Sequence, residues 1–180
     1  MSRKLHKLET QIKTDADEMA KKVLVLKGSS TSQTINDVLT DLAMLSKPNV
    51  KTFLRKNDIL PFEDVNSLEF LCEKNACSLF ALGSHTKKRP NNLTLGRMYD
   101  GHLLDMVEFG VDSKISVAEF TSKKKGIGSK PIMLFLGDQW DRDSSYKGIQ
   151  NILLDFFRGD RSEKISAQGL DHVISCTVVD

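Results

Sequence analysis

Val23-Leu24-Val25-Leu26, stopped by Gly28 and followed by Ser29-Ser30-Thr31-Ser32, is the stretch that decides the fold class. A short apolar run with β-branched residues and a glycine stop has the character of a strand buried on both faces. The hydroxyl residues after it are candidate helix caps, because their side-chain oxygens can accept from the first free backbone N–H groups of a helix. Beyond them Ile35, Val38, Leu39, Leu42 and Leu45 recur on one face at helical spacing, and Pro48 bars continuation. A buried strand feeding an amphipathic helix predicts an α/β domain.

Working outward, 50–54 is expected to be a second strand and 63–75 a second helix, opened by Pro61. A third strand is expected over 78–82, then a polar turn over 85–92 and two further strands over 93–98 and 104–111. Residues 113–127, rich in Gly and Lys toward their end, are expected to form a mobile, solvated connector. A strand over 132–136 follows, then a helix over 146–157 with Ile149, Ile152, Leu153 and Phe156 on one face, then a closing strand within 172–179. Residues 1–22 lack a strong apolar face and are expected to extend outside the core. The halves 23–112 and 128–180 each open with an apolar strand feeding an amphipathic helix, a duplication that rests on element order alone.

The 180 residues are 39% hydrophobic and 28% charged, which fits one sizeable domain or two small halves and argues against wholesale disorder. A net charge of +2 does not by itself indicate nucleic acid; the distribution of charge decides. Cys72, Cys77 and Cys176 are odd in number and lack paired spacing, so they form neither a disulfide framework nor a zinc site. They read as small buried or half-buried hydrophobes in a reducing compartment. No cofactor is implied. The amino-terminal MSRKLHKLETQIK has no apolar signal core, and no apolar run approaches the roughly 20 residues of a membrane span.

Two basic clusters stand out. Gly83-Ser84-His85-Thr86-Lys87-Lys88-Arg89-Pro90-Asn91-Asn92 holds three consecutive cations and no acid, with Arg97 on the following strand. Lysine and arginine can meet phosphates, and asparagine amides can reach sugars or base edges. The plain alternative is a solvated turn. Lys123, Lys124, Lys125 and Lys130 form the second cluster, either a phosphate-following loop or a lysine-rich linker. GIGSKP fails the phosphate-loop pattern, and Pro131 denies the helix that would receive the phosphate. Asp171 beside His172 could exchange a proton but is more simply a strand-edge pair. Asp138, Asp141 and Asp143 lack the glycine and closing Glu of a calcium loop and read as a polar turn that can cap the next helix. No catalytic constellation emerges.

Taken together, the segments NDILPFED, SLEF, CSLF, GSHTKKRPNNLTLGRMYD, LDMVEFG, GSKPIMLFLGD, LLDFFRGD and GLDHVISCTVVD, in this order, resemble the Brix-domain family of ribosome assembly factors over about Val23 to Asp180. The resemblance implies two α/β halves, each akin to an anticodon-binding domain, around a central curved mixed sheet. It implies a non-enzymatic nucleolar and nuclear protein that binds 5S ribosomal RNA and large-subunit ribosomal RNA. It also implies a heterodimer with the regulator of ribosome synthesis protein, contact with the ribosomal proteins of the 5S particle, and a role in placing that particle into the pre-60S subunit. The KKRPNN turn matches the family motif, so Lys87, Lys88, Arg89, Asn91 and Asn92, with Arg97 in the same segment, are the implied RNA contacts. Lys123 to Lys130 falls where relatives vary. Family members continue past VVD with a further strand and a basic tail, so the second half is expected to be truncated at Asp180. The alternative function is a protein-interaction scaffold with little RNA affinity of its own.

Overall fold

The computed structural model describes residues 21–120, 126, 128–129, 131–157 and 172–179. Its central element is a five-stranded mixed sheet in the order β2-β1-β3-β4-β5. The strands are β1 (Val23–Lys27), β2 (Val50–Lys56), β3 (Leu79–Ser84), β4 (Asn92–Tyr99) and β5 (His102–Gly110). Strands β2 and β3 run parallel to β1 on either side, whereas β4 and β5 continue antiparallel. The parallel pairs require crossovers, supplied by helices α1 (Gln33–Leu45) and α2 (Asn66–Lys74); the antiparallel pairs need only turns.

The unbroken apolar character of β1 follows from its central place. Val23 and Val25 face one core with Ile35 and Leu39 of α1, while Leu24 and Leu26 face a second core with Leu68 and Cys72 of α2. Strand β4 is buried on both faces for the same reason: Leu93 and Leu95 join the α1 side, and Gly96 meets the ring of Phe80 on the α2 side. The mixed α/β sheet is therefore as the residues led one to expect.

Helix α2 begins later than the pattern suggested. The backbone N–H groups of Glu63 and Asp64 both donate to the carbonyl of Leu60, closing a turn, and the Asp64 carboxylate accepts from the Asn66 N–H at the helix start. The connector also departs from expectation in its first part. Ser116 caps a short 3-10 turn (Val117–Glu119) in a capping box with Glu119. Asp41 of α1 accepts from the Ser116 hydroxyl at 3.0 Å and the Val117 N–H at 3.1 Å, and Lys114 pairs with Asp37 at 2.7 Å. This portion is strapped to α1 rather than free in solvent.

Downstream, β6 (Ile132–Leu136) pairs in parallel with β7 (Val173–Thr177) as a separate two-stranded sheet. Between them lie α3 (Gln139–Arg142) and α4 (Ser144–Phe157), whose first turn is capped by Asp143 accepting from the Ser145 N–H at 2.7 Å. Trp140 stands edge-on to Phe135 and Tyr146 and donates to the Leu136 carbonyl. Ile152 and Phe156 of α4 enter the core formed by β1, α1, β3 and β4, so the later segment shares the core of the first sheet. Cys72 and Cys77 are buried, Cys176 is half-buried, and all three are free thiols. Burial pushes the Cys72 thiol up to about 12, which leaves it protonated and inert.

Candidate nucleic-acid interface

The basic turn is built by its polar neighbours before it can present a charge. Thr86 donates its N–H to the Arg89 carbonyl and accepts the Arg89 N–H on its hydroxyl, both at 3.0 Å. These reciprocal bonds put Lys87 and Lys88 at the tip, where both are exposed. No ion pair forms at either side chain among the described residues, and charges at such a tip remain available to an external anion.

Asn91 and Asn92 are spent on holding the turn. Asn91 occupies left-handed backbone space, φ 45°, which asparagine tolerates better than most residues. Its Oδ1 accepts from the Ser32 hydroxyl at 2.6 Å, and its Nδ2 donates to the Val111 carbonyl at 3.2 Å. Ser32 is also the cap of α1, accepting from the Ile35 N–H, so one hydroxyl joins the helix start to the turn. The Asn91 N–H donates to His85 Nδ1 at 3.1 Å. Accepting there leaves Nδ1 no proton for the Asn91 Oδ1, so that 3.2 Å approach is not a hydrogen bond in the neutral ring. Asn92 is buried, and its Nδ2 donates to Glu108 Oε1 at 2.6 Å.

Glu108 also receives Arg89, whose Nη1 reaches both carboxylate oxygens at 2.8 and 3.0 Å. The Arg89 guanidinium stands 5.8 Å from the centre of the exposed Phe62 ring. Arg89 is thus partly neutralised yet 59% exposed at its side chain, and it can turn to a phosphate at the cost of a weak surface pair.

Arg97 is in a different place. It lies five residues beyond Asn92 on β4, about 17 Å at a strand rise of ~3.4 Å per residue. Its guanidinium pairs with Asp105 across the hairpin and with Asp155 of α4 at 2.8 Å, and Lys21 shares Asp155. Hydrogen bonding to Asp105, strengthened by Asp155, fixes the arginine in its charged form. For Asp155, burial pushes the carboxyl up, but hydrogen bonds from Lys21 and Arg97 outweigh it and hold the carboxyl below its ordinary value. This network staples α4 to the sheet. The structure therefore gathers Lys87, Lys88, Arg89, Asn91 and Asn92 and separates Arg97 from them. Lys123, Lys124, Lys125 and Lys130 lie outside the described residues, as does Asp171.

Sequence reasoning missed Glu108, Ser32 and Phe62 at this site, and it gave His85, a member of the quoted cluster, no bracing role. Only the register Thr94↔Glu108 brings the acid beside the turn, and register is a long-range property. Among the described residues no cluster of His, Cys, Asp and Glu could hold a metal, and no helix is long and apolar enough to cross a membrane.

Comparison with known proteins places the chain in a lineage. Ribosome production factor 2 homolog of Homo sapiens is 42% identical over 91% of this chain, and that of Schizosaccharomyces pombe is 43% identical over 87%. The alignments cover 54% and 50% of those proteins, so the chain spans about half their length. A crystal structure of a probable ribosomal biogenesis protein from Aeropyrum pernix K1 shares the fold, with a TM-score of 0.58 at 13% identity over 89% of this chain and 83% of that one. The Brix-domain profile matches residues 28–180, and the chain belongs to the Brix-domain family.

Proposed function

We propose that this chain is a non-catalytic ribosome assembly factor that binds ribosomal RNA through the turn at Lys87, Lys88 and Arg89. The observation that carries the reading is the pair Lys87 and Lys88, exposed and without an ion pair among the described residues, at the tip of a turn braced by Ser32, His85, Asn91 and Glu108. A rigid turn orders its cations before contact, so less entropy is lost on binding. In this reading Arg89 adds a third phosphate contact, Asn91 and Asn92 position the turn, and Arg97 acts through the fold. Family membership and the names of the relatives support a role in ribosome production; in this reading that role extends to helping bring the 5S RNA particle, with its ribosomal proteins, into the pre-60S subunit. The partner would be the regulator of ribosome synthesis protein and the location the nucleolus.

A second reading has its own support. Arg89, Asn91, Asn92 and Arg97 all have partners inside the fold, which leaves only Lys87 and Lys88 of the candidate contacts among the described residues free for RNA. The chain would then be a protein scaffold whose RNA affinity comes from its partners. Titrating labelled 5S ribosomal RNA over a salt series separates the two. Under the first reading Lys87→Glu/Lys88→Glu weakens binding and lowers the salt slope by up to about 2, with stability changed by less than ~0.5 kcal/mol. Wild-type binding that requires the partner protein and ignores the substitutions supports the scaffold.

A further inference from the structure

Strand β2 is an outer edge of the five-stranded sheet, and it carries a surface unrelated to the basic turn. From Lys47 to Asn57 the chain holds Lys47, Lys51, Arg55 and Lys56 and no acid, and Lys27 of the neighbouring strand adds a fifth cation. None of the five has an ion-pair partner among the described residues, and all but Lys27 are exposed. Leu54, in the same strand, is 75% exposed. A groove of about 320 Å³ runs between α1 and β2, with Val25, Lys27, Leu39, Met44, Lys47 and Leu54 in its lining.

We propose that β2 accepts an extended acidic peptide segment of a partner protein, which pairs with the strand edge and seats an aliphatic side chain in the groove. Among the described residues β2 has a neighbouring strand on one side only, so its other edge offers backbone N–H and C=O groups for pairing, the groove offers apolar burial, and the cations select carboxylates. A phosphodiester backbone would match the charge but use neither the edge nor the groove. A second copy of the same edge would bring like charges together.

The test uses the 180-residue chain, isotopically labelled, titrated with a short peptide that alternates Glu with Val. Amide signals of Val50–Lys56 should shift and their hydrogen exchange should slow. Lys51→Glu/Arg55→Glu should weaken binding about tenfold. Leu54→Asp should weaken it as well, and N-methylation of the peptide backbone should abolish it while leaving its charge intact. Absence of binding overturns the proposal, as does binding that survives N-methylation, which would be charge attraction alone. Displacement of the peptide by oligouridylate, with shifts at the same amides, would assign the surface to RNA and likewise overturn it. Loss of RNA binding in the Lys87→Glu/Lys88→Glu variant leaves this result untouched, so the two sites fail separately.

Discussion

Gly96 sits where a side chain has no room. A Cβ there would lie 2.5 Å from two ring atoms of Phe80 and 2.8 Å from the Asp105 carbonyl. Gly96→Ala is expected to destabilise the domain by about 1–3 kcal/mol through overpacking, measured as a lower urea midpoint with an unchanged slope. Asp155 makes a second prediction. Its carboxyl titrates below the unfolded value of about 4, so the stability it adds is full above that pH and is lost as pH falls through the lower folded value. Asp155→Asn should cost about 1–3 kcal/mol at neutral pH and flatten the acid side of the stability curve, read from urea midpoints at several pH values. The sequence could expose neither device. Phe80 and Gly96 meet only across the β3–β4 register, and Arg97 finds Asp155 from 58 positions away.

At the scale of elements, periodicity and punctuation carried most of the fold. The β1 run, the α1 stripe with Ser32 as cap, and the apolar face of α4 are each local patterns, and the structure places them where those patterns say. What depended on tertiary partners was not legible. The Leu60 turn delayed α2, Asp41 and Asp37 captured the connector, and β6 and β7 closed on each other as their own sheet. The basic turn was legible as a cluster of cations, but its brace was not. That brace is testable. Ser32→Ala removes a helix cap and the bond to Asn91 together, and should cost about 1 kcal/mol in thermal or urea stability. It should also speed hydrogen exchange of the Val111 amide, which donates to the Asn91 carbonyl. An unchanged exchange rate there would mean that the turn holds its shape without Ser32.

Over the whole molecule, the decisive feature is that α4 lies in the core of the first sheet. Phe156 is 6% exposed among residues of β1, α1, β3 and β4, while Trp140, the single tryptophan, reports on the β6 side. The described parts of the chain should therefore unfold as one unit. Phe156→Ala is expected to cost about 3–5 kcal/mol and to lower the Trp140 fluorescence transition and the far-UV transition together. A tryptophan transition that moves alone would mean that the later segment folds independently.

The proposed function rests on RNA contact at the basic turn. The direct measurement is photo-crosslinking of labelled 5S ribosomal RNA to the folded chain, followed by mass-spectrometric mapping of the linked peptides. The account predicts crosslinks at Lys87 and Lys88, lost in Lys87→Glu/Lys88→Glu while the domain stays folded. Crosslinks confined to other segments, with the 84–92 peptide unmodified, would contradict it.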